Sequence, residues 1–248
     1  MEFRFIHFYP DLMSLYGSYA NLSVLKRYLE ELGNTVAVES VLPGQEIDLA
    51  GADFLFMGAG TERAQKAALA DFMRCSDAVK AAAERGTAML FAGTAMELLG
   101  KTITDAGGTI YDGMGLADFV SVQGPHRMVG DVYGVTDLYS GAVVGFMNKC
   151  ARITGVKTPL LTSLAMGFGN EAEGGPEGFH WNHVFASELT GPLLVKNPRL
   201  LDTVADAILR QRNASLPEER PVNRWADGSY AITAEQLRLR CEAQKTTK

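Results

Sequence analysis

The chain has 248 residues, enough for one large domain or two small ones, and 47% of them are hydrophobic, enough for a sizeable core. Its formal net charge of -6 argues against general binding to nucleic-acid phosphates, which requires a basic surface. No apolar run approaches the roughly 20 residues of a membrane span, so we expect no membrane helix.

Targeting and metal-binding signals are also missing from the sequence. The first residues lack the basic and long apolar regions of a signal peptide, so we expect none. Cys75, Cys150 and Cys241 are odd in number and far apart, which argues against a disulfide framework and favours a reducing cytoplasm. None of the four histidines has a partner at metal-ligand spacing, so we expect structural or surface histidines and no metal site.

The first half of the chain alternates between strand and helix patterns. Leucines at helical spacing, from Leu22 to Leu32, are followed by a glycine stop signal at Gly33. An alanine-rich stretch predicts a second helix within about 62 to 85. Apolar runs predict strands at 3–8, 35–41, 52–57 and 87–92. Such βαβ alternation indicates a parallel sheet covered by helices.

The second half has shorter strand-like runs separated by glycine-rich loops such as residues 167–179. The runs lie near 116–122, 129–136, 141–147 and 179–187, and a last apolar helix begins near Asn197. We therefore expect one domain over 1–212, followed by a linker and tail over 213–248. The last segment is consistent with either a short charged helix or disorder. Because it has few apolar residues to fix it to the domain, we favour a solvated tail.

The segment FMGAGTERAQ (56–65) places two glycines directly after a predicted strand. In an open parallel sheet, binding sites form beyond the carboxyl ends of the strands. Gly58 and Gly60 would allow a sharp turn whose N–H groups stabilise an oxyanion. The same glycines are equally typical of an ordinary turn, and Arg63 stands where a dinucleotide-binding motif has its third glycine.

The segment MLFAGTAMELLG (89–100) predicts a buried strand, a tight turn and a helix. Such an elbow presents one side chain at a helix N-terminus, where a thiolate or an oxyanion is stabilised. Here Gly93 has no side chain. Thr94 has a hydroxyl, but nucleophilic catalysis also requires a nearby base, so an N-cap role is the simpler interpretation of Thr94.

The order of the motifs resembles the cobyric-acid-synthase-type (CobB/CobQ-like) glutamine amidotransferases, in particular the glutaminase subunits of lipid II isoglutaminyl synthase. The matches run from about residue 9 to 210. FMGAGTERAQ resembles the family's GGGQDREQ, MLFAGTAMELLGK resembles VLAICGGYQLLGK, and ASELTGPLLVKNP resembles GTYLHGPLLPKNP. The resemblance implies a class I amidotransferase-like (flavodoxin-like) α/β fold: a mostly parallel sheet, helices on both faces and additional antiparallel strands.

The chain departs from this family at its catalytic positions. The family's nucleophilic cysteine falls on Gly93 and its catalytic histidine on Thr190, so both catalytic positions are vacant. The glycine after the nucleophile falls on Thr94, and the middle glycine of the oxyanion loop falls on Ala59. The resemblance assigns substrate binding to Gly58, Ala59, Gly60, Thr94 and Arg127.

Two further departures concern charge. Glu97 falls on the second residue of the family's YQ pair, and Lys149 falls on the histidine of its GFENH segment. Because glycine cannot form a cysteinyl thioester and threonine cannot act as a general base, the loss of both groups predicts a catalytically degenerate protein.

Three functions are consistent with these residues. The resemblance implies a heterodimer with a Mur-ligase-like, ATP-dependent subunit that amidates the D-glutamate carboxylate of lipid II, and it implies no cofactor. A second hypothesis is an active glutaminase with a relocated nucleophile, for which Cys150 is a better candidate than Cys75. A third is a stand-alone sensor that keeps the glutamine pocket.

Overall fold

The computed structural model describes residues 1–171 and 174–246, so Ala172 and Glu173 of the glycine-rich loop and the last two residues of the predicted tail lie outside it. Its strands and helices follow in chain order. The strands are β1 (Glu2–Phe8), β2 (Thr35–Val41), β3 (Phe54–Met57), β4 (Ala88–Ala92), β5 (Thr102–Thr104), β6 (Ile110–Asp112), β7 (Val120–Val135), β8 (Ala142–Thr154), β9 (Ser163–Met166), β10 (Phe179–Trp181), β11 (Val184–Ser187) and β12 (Leu189–Thr190). The helices are α1 (Ala20–Glu31), α2 (Glu62–Phe72), α3 (Ser76–Glu84), α4 (Leu193–Lys196), α5 (Pro198–Gln211) and α6 (Arg224–Thr246).

A mostly parallel main sheet forms the centre of the fold, with strand order β10-β11-β4-β3-β1-β2. Only β10 runs antiparallel to its neighbour. Every residue of β3 and β4 is buried, as expected of central parallel strands that are covered on both faces. Separate apolar clusters lie on the two sides of this sheet, one including Leu25 and Val204, the other Leu69 and Val79. The predicted α/β architecture is therefore confirmed.

A second sheet of order β12-β8-β7-β5-β6 is mostly antiparallel, and β9 pairs with β7 outside this path. The strand-like runs near 116–122 and 129–136 both overlap the single strand β7, which begins at Val120. Its pairing with β8 has an irregularity between Gln123 and Met128. Glycines and charged residues break the apolar pattern of β7, so the sequence suggested two short strands. No clear pattern in the sequence predicts the short strands β5, β6 and β9.

The helix predicted within 62–85 divides into α2 and α3, joined by a short 3-10 turn over Met73–Cys75. Ser76 and Asp77 open α3, and both residue types favour helix starts over helix interiors because their side chains bind nearby backbone groups. The alanine-rich composition of the segment predicts one continuous helix, so the break was not expected.

The C-terminal segment differs from the expected solvated tail, because residues 224–246 form the long helix α6. Leu237 and Cys241 on its inner face are buried, and the Tyr230 hydroxyl donates to the carbonyl of Ala142 at 2.8 Å. Arg240 forms an ion pair with Asp131 of β7. The apolar residues of this segment are few, but their helical spacing places them on one face, which suffices to dock the helix on the second sheet.

The opposite face of α6 carries three large apolar side chains at seven-residue spacing, which we call the outer stripe. Trp225 is 76% exposed, Ile232 69% and Leu239 44%. Among the described residues, no helix is both long and apolar enough to span a membrane.

Candidate functional site

Gly93 and Thr190, which the sequence predicts to be vacant catalytic positions, follow strands that end on the same side of the main sheet. Strands β4 and β11 are parallel neighbours, and their register pairs Ala92 with Ser187. Gly93 follows Ala92 directly, and Thr190 lies three residues beyond Ser187. Because parallel strands end at the same edge, the segments containing Gly93 and Thr190 both leave the sheet there.

Gly93 adopts a backbone conformation that few other residues tolerate. Its φ is +62°, and a Cβ atom at this position would lie 2.6 Å from the Cβ of Ala59. The chain turns at Gly93 into a buried 3-10 helix, Gly93–Leu99, instead of the longer helix suggested by the sequence. Any side chain at Gly93 would therefore meet both a left-handed backbone and the methyl group of Ala59.

The glycines of the 58–60 loop are required by packing. A Cβ at Gly58 would lie 2.5 Å from the carbonyl oxygen of Met13, and one at Gly60 would collide with the Met13 sulfur. The loop's N–H groups already have partners, since Ala59 donates to Ser18 Oγ at 3.3 Å and Gly60 donates to Thr94 Oγ1 at 3.0 Å. The N–H groups of Ala59 and Gly60 are therefore bound within the protein.

Thr94 does not cap the helix, in contrast to the simpler interpretation of its sequence context. Its hydroxyl accepts from the N–H of Gly60 and donates to the carbonyl of Gly60, both at 3.0 Å. The Gln65 side chain donates to the Thr94 carbonyl at 2.7 Å. Thr94 stands where the family motif has a glycine, and its hydroxyl makes two hydrogen bonds with Gly60. Thr94 therefore fixes the glycine loop to the turn that follows β4.

Thr190 is engaged in the second sheet. It belongs to β12, which pairs with β8, and its hydroxyl donates to the carbonyl of Phe146 at 3.0 Å. It is 6% exposed. A hydroxyl in this position satisfies a strand carbonyl and provides no group that accepts a proton near neutral pH.

Arg127 lies beside an open cleft of about 720 Å³ next to the elbow. Its guanidinium forms an ion pair with Glu62 at 2.7 Å and donates to the carbonyl of Asn148 at 2.7 Å. The cleft is also lined by Arg63, Lys66, Tyr111, Gln123 and Cys150. The structure thus brings Arg127 to the same region as the glycine loop, but with its charge already paired.

Cys150, the candidate relocated nucleophile, lies in this cleft as a protonated thiol. Burial and a hydrogen bond to Glu62, 3.3 Å from its sulfur, raise the pKa of Cys150 to about 12. Burial also raises the pKa of Cys75 to about 11. A nucleophilic cysteine requires a lowered pKa or an oriented base, and a carboxylate neighbour works against the thiolate.

A buried set of charges behind the cleft was not foreseen from the sequence, and we call it the acidic cluster: Glu97, Glu177, Glu188 and Lys149. All four side chains are at most 1% exposed. Glu97 accepts hydrogen bonds from Ser121 and Gln123. The departures at Glu97 and Lys149 from the family motifs were the available signal, since they put charge at two positions within the motifs.

Glu177 gives the acidic cluster a measurable pH dependence. Burial raises its pKa to about 7, although Lys149, the N–H of Glu188 and the hydroxyl of Ser187 oppose the shift. Since the unfolded chain ionises at a lower pH than the folded one, stability from this group is complete below about pH 4.5 and is lost as the pH rises to about 7.

We expect Glu177→Gln to flatten the fall in unfolding free energy between pH 4.5 and pH 7 by up to about 3 kcal/mol. Urea unfolding at several pH values measures this difference, with the exposed Glu46→Gln as the matched control. Parallel pH profiles for wild type and Glu177→Gln would contradict the expectation.

Comparison with known proteins identifies relatives along most of the chain. Residues 4–198 match the family model of the CobB/CobQ-like glutamine amidotransferase domain. A protein of Staphylococcus aureus (strain N315), the lipid II isoglutaminyl synthase (glutamine-hydrolyzing) subunit GatD, is 27% identical over 249 residues, covering 100% of this chain and 99% of its own length. The subunit GatD of Streptococcus pneumoniae (strain ATCC BAA-255 / R6) is 26% identical over 214 residues, covering 85% and 82%.

Structural similarity supports the same fold. The crystal structure of a glutamine amidotransferase from Thermotoga maritima superposes with a TM-score of 0.51 and covers 95% of each chain. Its sequence identity of 8% restricts that likeness to the fold.

Proposed function

Because the chain belongs to the CobB/CobQ-like glutamine amidotransferase domain family, we propose that it is an amidotransferase-like subunit that no longer hydrolyses glutamine. It acts with a Mur-ligase-like, ATP-dependent partner that amidates a cell-wall precursor, the D-glutamate carboxylate of lipid II. The wide spacing of its three free cysteines supports a cytoplasmic location for this work.

The contacts at the turn of Gly93 are the observation that supports the proposed loss of hydrolysis. A covalent glutaminase needs a nucleophile at the turn, a base beside it and N–H donors free to bind the oxyanion. Here Gly93 supplies no nucleophile, the Thr190 hydroxyl supplies no base, and the N–H of Gly60 is bound by Thr94. Three requirements fail through separate residues, so restoring one of them leaves the others unmet.

The partnership is inferred from the similarity to the two GatD subunits, one of which matches along the whole chain. A ligase that activates a carboxylate with ATP needs an amine nucleophile to form the amide. With glutamine hydrolysis lost, free ammonia supplies that nucleophile, and the subunit retains a structural or delivery role.

The outer stripe of α6 is the surface we assign to the partner. Interface cores are depleted in charge and enriched in aromatic and apolar residues, and a Trp with two aliphatic side chains on one exposed helix face fits that composition. The stripe belongs to a helix held by buried contacts of its own, so it is available without unfolding the domain.

We expect the native chain to co-purify with a Mur-ligase-like protein and the double variant Ile232→Glu/Leu239→Glu to lose at least about tenfold in affinity, because two charges would enter an apolar interface. Pull-down with mass spectrometry identifies the partner, and titration measures the affinity. Ala231→Glu, which adds a charge to the same helix outside the stripe, is the matched control.

Recovery of the chain only as a monomer or a self-oligomer, with no ligase enriched over background, would reject the subunit hypothesis. Equal loss of affinity in Ala231→Glu and in the double variant would reject the outer stripe as the docking surface while leaving the partnership intact.

The open cleft beside Arg127 favours one alternative, a stand-alone glutamine-binding sensor. Its volume of about 720 Å³ is ample for an amino acid, and Arg63 and Lys66 contribute positive charge to its lining. Against this, Arg127 is already paired with Glu62. Tight binding of glutamine to the isolated chain, measured by calorimetry, would favour the sensor, and undetectable binding would favour the subunit.

A further inference from the structure

Glu188 is a buried carboxyl group whose interactions are incomplete. It is 1% exposed, and neither of its side-chain oxygens has a hydrogen-bond partner among the described residues. Burying a carboxylate without a partner is strongly unfavourable, so the group must either hold a proton or meet a cation.

The charges that act on Glu188 come from four surrounding elements. They are Glu97 on the 3-10 helix after β4, Lys149 on β8, Glu177 before β10 and Glu62 on α2. Three of the four are carboxylates. The Lys149 ammonium group already donates to the carbonyl of Gly169 at 2.7 Å, with that of Asn170 at 3.4 Å.

The other carboxylates of the acidic cluster have donors of their own. Glu97 accepts from Ser121 and Gln123, whereas Glu177 accepts from Ser187 and from the backbone N–H of Glu188. Glu188 is therefore the member whose acceptor oxygens are left over, and it faces the negative charge of Glu97. A group that complements it must be small, positively charged and rich in hydrogen-bond donors.

We propose that Glu188 binds an ammonium ion in this interior site. Ammonium has four N–H donors and a single charge, which matches two buried carboxylate oxygens without hydrogen-bond partners. A divalent metal ion would need more ligands, and the described residues bring together no group of three or more His, Cys, Asp or Glu suited to one. Glu62, whose charge also acts on Glu188, lines the cleft.

The proposed biological role of the ammonium site rests on the proposed function, whereas ammonium binding itself does not. Hydrolysis of glutamine releases ammonia, so a subunit that has lost the hydrolysis would instead gather the same nitrogen species from solution. Binding itself involves no partner and no ligase, so it can be measured on this chain by itself.

Protonation provides a second signature of the same site. Burial and the charge of Glu97 raise the pKa of Glu188. A buried carboxyl group without hydrogen-bond partners favours its protonated form, so one ammonium ion that binds there releases one proton as the carboxyl becomes a carboxylate. Ammonium should bind more tightly at pH 8 than at pH 6, because less work is needed to remove that proton.

The test uses the full chain and ammonium chloride, compared at equal ionic strength with potassium chloride and tetramethylammonium chloride. We expect a saturable rise in Tm of about 4 °C with ammonium at about tenfold its dissociation constant, and a protected ammonium signal in ¹⁵N-ammonium NMR. Glu188→Gln should abolish both effects, whereas Glu46→Gln should keep them.

Equal stabilisation by potassium would overturn the ammonium assignment, since the site would then select charge alone. Absence of any ammonium effect in the wild-type chain would show that Glu188 only holds a proton. This outcome is measured on the wild-type chain, so it does not depend on whether Glu188→Gln folds. Either outcome leaves the partnership proposed above untouched, while loss of the partnership leaves ammonium binding measurable.

Discussion

The purified chain is expected to release ammonia from glutamine at least about a thousandfold more slowly than an intact homologue, because nucleophile and base are both absent. Gly93 provides no thiol, and Thr190 donates its hydroxyl to the carbonyl of Phe146. The Staphylococcus aureus GatD subunit, assayed beside it with and without the respective partners, is the positive control. A turnover within tenfold of that control would refute the proposed loss of hydrolysis.

Restoring the catalytic pair tests the same conclusion from the opposite direction. Gly93→Cys with Thr190→His should remain inactive, because the new Cβ meets Ala59 and because Thr94 still occupies the N–H of Gly60. Adding Ala59→Gly and Thr94→Gly removes both obstacles. Activity in the pair alone would show that the loop yields more readily than its packing indicates.

The second large effect concerns stability. We expect Gly93→Ala to destabilise the fold by about 3 kcal/mol, of which roughly 1–2 kcal/mol is left-handed backbone strain and the remainder is overpacking against Ala59. Gly33→Ala is the matched control, because Gly33 has φ +81° and no atom within 4 Å of its added Cβ. Denaturant unfolding measures both changes.

The double variant Ala59→Gly/Gly93→Ala isolates the contact. Removing the Ala59 methyl should recover about 1–2 kcal/mol of the loss as a coupling energy between the two positions. The left-handed strain should remain, as it does in Gly33→Ala. Additive effects of the two substitutions would mean that the 2.6 Å contact is relieved by movement of the backbone.

The sequence predicted the main sheet well because its strands are short, apolar and bounded by glycines. Runs such as 87–92 are buried on both faces in β4, so composition alone marks them. The long strand β7 was predicted as two pieces, because its half-exposed course mixes glycine, proline and charge. Helix α6 was predicted as a solvated tail, because its docking depends on a few side chains at helical spacing.

The sequence predicted which residues lie at the candidate site but not their contacts, and the role of these residues stays a prediction. The residues after β4 and in the glycine loop could be named from the sequence, since strand ends are where sites form. That Thr94 binds the loop, and that Ala59 fills the space beside Gly93, depends on contacts between segments 34 residues apart. The acidic cluster was not predicted, because the sequence around Glu177 and Glu188 is typical of ordinary polar residues in short strands and loops.

Glu188 also connects the two sheets, because it is the single residue between β11 of the main sheet and β12 of the second sheet. Helix α6 rests on β8 through Tyr230, and β8 pairs with β12 through Met147 and Leu189. A protein bound to α6 would therefore lie one strand pair away from the residue that joins the two sheets. The outer helix and the interior carboxyl group are thus joined by the contacts of two strands, β8 and β12.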